Sequence, residues 1–248
     1  MKVIYLLLLF SFVSPQTPTR FEVIIPSAEQ EAQYVWRTLQ DMPFFEQHNY
    51  QISLPQGALI ESLKKKSLNG QMSNEDYAAL LTHMQTEVYD RKDYLKGQQK
   101  VVDAIPSLDR MLNQIISKNY DWGFNSFDRY QIVLTLYGPG GSYNPDEGLI
   151  LLYTTTDGRF KQYDDPLNTL IHEVTHIGIE SEIIQKYSVP HGLKERLVDT
   201  FVLLHFQDQL TGFRIQDMGF KSIDNELDEL EKLSDLPRIV SEFMIGDE

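Results

Sequence analysis

After one brief strand-like run, apolar positions recur at helical spacing through the first half of the chain, and longer β-type runs come only later. Residues 21–25 form a brief strand-like run closed by Pro26. Ser27, with Gln30 three positions on, then has the form of a capping box. A helix through about Gln40 follows, with Ala32, Val35, Trp36 and Leu39 along one side. Residues 41–50, rich in Pro, Phe and Asn, read as a loop. Helical spacing resumes over residues 59–68 and stops at Asn69-Gly70. Ser73, with Asp76 at the capping-box position, opens another helix marked by Tyr77, Leu80, Leu81, Met84 and Val88. A longer helix spans about 94–118, bent or interrupted near Pro106.

The texture changes after Tyr120. Residues 129–137 and 148–156 are rich in β-branched and aromatic side chains and read as two neighbouring strands, separated by Gly138-Pro139-Gly140-Gly141. Asp165 has the form of an N-cap and Pro166 of a first helical position, for a helix running through at least Ile177. Another helix begins near Gly192, with Leu193, Leu197, Val198, Phe201 and Leu204 as its buried stripe. Residues 224–231 read as an acidic amphipathic helix with Leu227, Leu230 and Leu233 on one side, and Pro237 starts a last short helix ending near Met244. The expected class is α+β, mainly helical, with a small antiparallel or mixed sheet beside the helix that starts at Pro166. A helical lobe over 17–120 and a second lobe over 121–248 would pack as one continuous unit.

That helix carries the chemistry. Ile171-His172-Glu173-Val174-Thr175-His176 contains His-Glu-x-x-His, two imidazoles four residues apart on one helical face. His172 and His176 can converge on one metal ion, and Glu173 beside them can reach a metal-bound water.

Composition narrows the alternatives. A chain of 248 residues with 42% hydrophobic content can build a sizeable core. A formal charge of −14 argues against nucleic acid or an anionic membrane surface as partner. The absence of cysteine removes disulfides, thiolate zinc sites, iron–sulfur clusters and a cysteine nucleophile. A zinc site must then use histidine and carboxylate, the donor set of catalytic zinc. Residues 1–16 read as a signal peptide, with Lys2 ahead of an apolar run and Ser14-Pro15-Gln16 after it. That run is too short to span a bilayer, so no stable membrane insertion is expected. Export without disulfides fits a bacterial secreted or periplasmic protein.

A catalytic zinc needs a third ligand, and Glu180, His191, Glu195 and Asp199 are the candidates that follow the motif. On an unbroken helix Glu180 lies about 12 Å along the axis from His172, so it becomes a ligand only if Gly178 breaks the helix. Glu195 and Asp199 are four apart on the next helix and point the same way. One can bind zinc while the other accepts a hydrogen bond from the outer nitrogen of a ligand histidine. Both could instead decorate a solvated face beside Lys194 and Arg196. His191 remains open as a fourth ligand or a surface residue.

His172-Glu173-x-x-His176 followed by Glu195-Arg196-Leu197-Val198-Asp199 resembles the gluzincin class of zinc metallopeptidases, the thermolysin-like arrangement. The wording of this region is also similar to that of a group of small secreted bacterial proteins. The resemblance covers roughly residues 131–207. It implies a zincin-like fold, Zn2+ held by His172, His176 and Glu195, and Asp199 orienting a histidine. It also implies a sheet beside the motif helix whose edge strand binds substrate. The activity implied is hydrolysis of a peptide or protein substrate by zinc-activated water, with Glu173 as general base. The developing oxyanion needs a further donor, for which His191, Tyr187, Tyr153 and Arg196 are candidates. His48, His83 and His205 show no partner pattern. Two other classes stay open: a zinc-binding interaction protein without turnover, and an interaction module in which the motif is accidental.

Overall fold

A computed structural model describes residues 20–160 and 165–246. The expected signal peptide, residues 1–16, lies outside the described residues. The fold is mainly helical, with a small mixed sheet of four strands. The strands are β1 (Phe21–Ile24), β2 (Tyr130–Thr135), β3 (Ser142–Asn144) and β4 (Leu149–Tyr153). Their order is β1-β2-β4-β3. β1, β2 and β4 run parallel, and β3 pairs antiparallel with β4 at the edge, Ser142 opposite Leu151. The expected strand pair is therefore β2 and β4. β3 was hidden in the glycine-rich connection because three residues carry no readable period.

Eight α-helices accompany this sheet among the described residues. They are α1 (Ala28–Gln40), α2 (Met42–Gln47), α3 (Ala58–Leu68), α4 (Asn74–His83), α5 (Leu95–Ser117), α6 (Pro166–Ile179), α7 (His191–Phe206) and α8 (Leu236–Gly246). The capping boxes at Ser27 and Ser73 form as their residue types dictate, with Gln30 and Asp76 as reciprocal partners. α5 runs through Pro106 without interruption. α2 corrects the loop expected over 41–50. Pro43 sits in its first turn, where no intrahelical N–H is lost, and Met42 and Phe45 bury on one side.

The acidic helix expected over 224–231 is also absent. Short 3-10 turns, Lys221–Asn225 and Leu230–Asp235, take its place. Leu227, Leu230 and Leu233 recur every third residue, which matches the three-residue turn of a 3-10 helix better than a 3.6-residue one. Leu227 and Leu233 are buried, and Leu230 packs against the same core.

Two apolar cores form. The smaller holds α1–α4 together through Val35, Leu39, Phe45, Ile60, Leu63 and Leu80. The larger joins β1, α5, the remaining strands, α6, α7 and the C-terminal segment. At its centre lies α6, every residue of which is buried. Leu167, Leu170, Ile171, Val174, Ile177 and Ile179 make it apolar nearly all round, the signature of a helix enclosed by neighbours. Gly178 does not break it. A β-carbon there would stand 1.9 Å from Cζ of Phe124, and Asn125 N–H donates to the Gly178 carbonyl at 2.8 Å. Gly178 is thus a close-packing site, and the chain continues through a π-helical turn, Glu180–Gln185.

Candidate metal centre

The motif residues sit midway along α6, where the backbone is fixed on all sides. His172, Glu173 and His176 are buried, with relative exposures of 8%, 6% and 2%. α7 crosses beside them and brings Glu195 and Asp199 to the same point. Nε2 of His172 and Nε2 of His176 are 3.0 Å apart, and each lies 3.3 Å from Oε2 of Glu195. Among the described residues this trio forms the group of ligand atoms close enough to share one cation.

The donor set fits zinc on two counts. Two imidazoles and one carboxylate match a catalytic site that keeps a fourth position for water or substrate. Bonds of 2.0–2.1 Å in tetrahedral geometry separate neighbouring donors by about 3.3 Å, close to the observed edges. His176 Nδ1 and His172 Nδ1 face protein, so Nε2 is the converging atom of each ring. Nδ1 of His172 lies 2.9 Å from Oδ1 of Asp199. A proton held there leaves the Nε2 lone pair free to bind metal. Oδ2 of Asp199 accepts from the backbone N–H of Gln216 at 2.8 Å.

The rest of the surroundings lock the rings and the carboxylates. Tyr143, on edge strand β3, stacks on His176 with centroids 4.7 Å apart and planes within 10°. Its hydroxyl donates to Glu180 at 2.6 Å and accepts from Lys194 at 3.1 Å. Burial and the adjoining Glu180 carboxylate raise the Tyr143 pKa far above its ordinary value. Burial pushes the Glu173 carboxyl up to about 7, against the lowering influence of His172. Burial would lower His172, but Asp199 and Glu195 outweigh it and raise the ring to about 10. Burial and the neighbouring His172 lower His176 to about 4. Glu195 is held well below the carboxylate range because both imidazoles outweigh its burial.

These residues open into a cleft of about 430 Å³. Its floor carries His172, Glu173, His176 and Glu195; one wall is the 139–145 segment and the other brings Phe44, Phe45 and Tyr50 from the helical region. Gly141 lies directly over Glu173: a β-carbon on it would come within 2.2 Å of Oε1 of that carboxyl. Glu180 lines the cleft too, but its carboxylate is engaged by Tyr143 and does not join the cluster of ligand atoms. His191 stands at the rim, with Nδ1 3.6 Å from Oε1 of Glu195 and Nε2 3.1 Å from the Tyr50 hydroxyl.

Of the four oxyanion candidates, His191 alone lines the cleft. Tyr187 and Tyr153 do not, and Arg196 is occupied by Asp224 at 2.6 Å and the Met218 carbonyl at 3.2 Å. Neither Glu195 nor Asp199 faces bulk solvent, which removes the decorative alternative for both. His205 is bonded to Tyr120 and to the Phe201 carbonyl, each at 2.9 Å, away from the cleft. Tyr50, Tyr143, Lys194 and Gln216 were not singled out for the site from sequence. Each reaches it across a separation no local pattern encodes, although Lys194 adjoins Glu195 and Tyr143 follows the glycine run. Comparison with protein-family models, curated proteins and solved structures finds no match to the chain.

Proposed function

We propose that the protein is a zinc-dependent hydrolase of gluzincin type, cleaving peptide bonds. The observation that carries this reading is the triangle of His172, His176 and Glu195 donor atoms with buried Glu173 beside it in an open cleft. Zinc bound there would supply Lewis-acid polarisation of a carbonyl and a more acidic water.

The chain's own groups account for the remainder. Glu173 takes a proton on its carboxylate and returns it to the departing nitrogen, a task suited to a carboxyl titrating near neutrality. Asp199 holds the His172 ring in one tautomer and orientation. Tyr143 fixes the His176 ring from its face. β3 has one strand neighbour among the described residues, so its outer side can pair with an extended peptide. His191 and Tyr50, at the rim, are the donors placed to meet a developing oxyanion.

No helix among the described residues is long and apolar enough to cross a membrane. We place the protein outside the cytoplasm, secreted or periplasmic, on the character of residues 1–16.

The test has two parts. Purified protein is assayed for metal content, and wild type and Glu173→Gln are compared on a mixed peptide library. The variant should keep its zinc and lose cleavage. Zinc below about 0.2 equivalents would remove the metal site. Equal cleavage by both proteins would remove Glu173 as the base.

A further inference from the structure

A second cavity, of about 330 Å³, adjoins the metal cleft. The two share Phe44, Phe45, Pro139, Ser142 and His191 along their common border. Leu151 and Thr38 line the second cavity, while Arg37 and Asp41, paired at 3.9 Å, stand exposed at its edge. Phe44 is 46% exposed, and its ring packs against Phe45, His48 and Tyr50 at the border of the two cavities. The strand alternation explains why the cavities meet there. Successive residues of a strand face opposite sides. Tyr143 faces the metal helix and stacks on His176, while Ser142, opposite Leu151, borders the second cavity.

We propose that this cavity is a specificity pocket for one large apolar side chain, aromatic or aliphatic, of an extended peptide laid along β3. The proposal rests on the peptidase reading and adds the feature that substrate would be chosen by. A peptide added to the outer side of β3 alternates its side chains between the two faces of the sheet. Residues on one face meet the metal cleft, and a neighbour on the other meets Leu151 and the shared border residues Phe44 and Pro139. The helical region therefore contributes directly to recognition through α2. A charged side chain there would lose water without gaining a buried partner, because the charged residues at its edge, Arg37 and Asp41, are themselves solvent-exposed.

The test uses fluorescently labelled glycine–alanine hexapeptides bearing a single Phe, Leu, Ala, Asp or Lys that is moved along the sequence. Wild-type cleavage sites are mapped, and binding is measured in parallel on zinc-loaded Glu173→Gln. Phe or Leu at one fixed distance from the cut should be preferred over Asp by about tenfold or more. Phe44→Ala, which removes the border ring, and Ser142→Leu, which fills the cavity from β3, should each abolish that preference in cleavage and in binding. If wild type cleaves with no positional preference, or both variants keep it, the pocket is overturned and the peptidase reading stands. If wild type cleaves nothing, the peptidase reading fails and the binding arm decides the pocket. Tighter binding of Phe peptides that Phe44→Ala removes would uphold it, and indifference to side chain would overturn it.

Discussion

Replacing Glu31 with Gln should leave stability nearly unchanged at pH 4.5 and raise it at pH 8. Glu31 lies on α1, is fully buried, and points at the end of β2, where Oε1 accepts from Thr135 Oγ1 at 3.1 Å and from the Leu136 N–H at 2.8 Å. Burial raises its pKa from 4.5 to about 7, because those donors offset only part of the desolvation. The folded chain therefore holds more protons than the unfolded chain between pH 4.5 and 7. Stability is complete below 4.5, falls as pH rises through that window and levels off above 7. A shift from 4.5 to about 7 corresponds to about 3 kcal/mol, at 1.36 kcal/mol per pH unit. Gln can accept from the Leu136 N–H and never ionises, so the variant lacks this loss. Urea unfolding of both proteins in chelator, at intervals from pH 4.5 to 8, measures the difference directly, since other titrations are common to the pair. A stability difference that is flat across that range, or that shrinks as pH rises, would refute the reasoning.

The other two predictions concern the site itself. Asp199→Asn should weaken zinc binding by about 10–100-fold in chelator competition while retaining the fold, because the amide no longer secures the His172 tautomer; affinity within twofold of wild type would remove Asp199 from that role. Gly141→Ala should keep stoichiometric zinc and lose about 100-fold in kcat/KM, since the added carbon drives the Glu173 carboxylate from its place. Unaltered kcat/KM in the alanine variant would show that Glu173 need not sit where it does.

The helices were legible where a cap and an apolar stripe coincide. Ser27 and Ser73 give both signals, and α1 and α4 begin where those caps stand. α2 gave neither, because Pro43 and two adjacent phenylalanines mask a stripe of only two buried residues. The convergence of His172, His176, Glu195 and Asp199 was legible for the same reason the helices were: each pair has a four-residue spacing, which helical geometry converts into a shared face. What spacing cannot give is which faces meet. Tyr143 stacks on His176 only because β3 lies at the sheet edge against α6, and Tyr50 reaches His191 only because the helical region folds over the cleft. Gly178 shows the limit from the other side. Glycine at a helix end suggests a break, yet here its missing side chain is what lets Phe124 pack against α6.

The placement of these groups carries an energetic tension that itself bears on function. α6 is enclosed by apolar neighbours, and into that enclosure it brings two imidazoles and the Glu173 carboxyl, while α7 adds Glu195 and Asp199. Four acidic side chains, Glu173, Glu180, Glu195 and Asp199, stand against His172, His176 and His191 at the rim, and Lys194 is the sole Lys or Arg side chain among the residues lining the cleft. Burying unmatched charge is costly, and ion pairs in such places seldom offset their own desolvation. An apolar set of the same volume would stabilise this helix pair more, so the polar cluster is poorly explained as a structural device. A divalent cation changes the accounting: it binds imidazole and carboxylate together and neutralises more charge than a proton can. The position of Glu173 adds a second element of the argument. A site needing only to hold metal gains nothing from Glu173, a buried carboxyl that is neither one of the three proposed ligands nor, like Asp199, placed against one, and that lies beneath a glycine and lines the cleft. On the proposed peptidase reading, Glu173 is the group that turnover would use and storage would not.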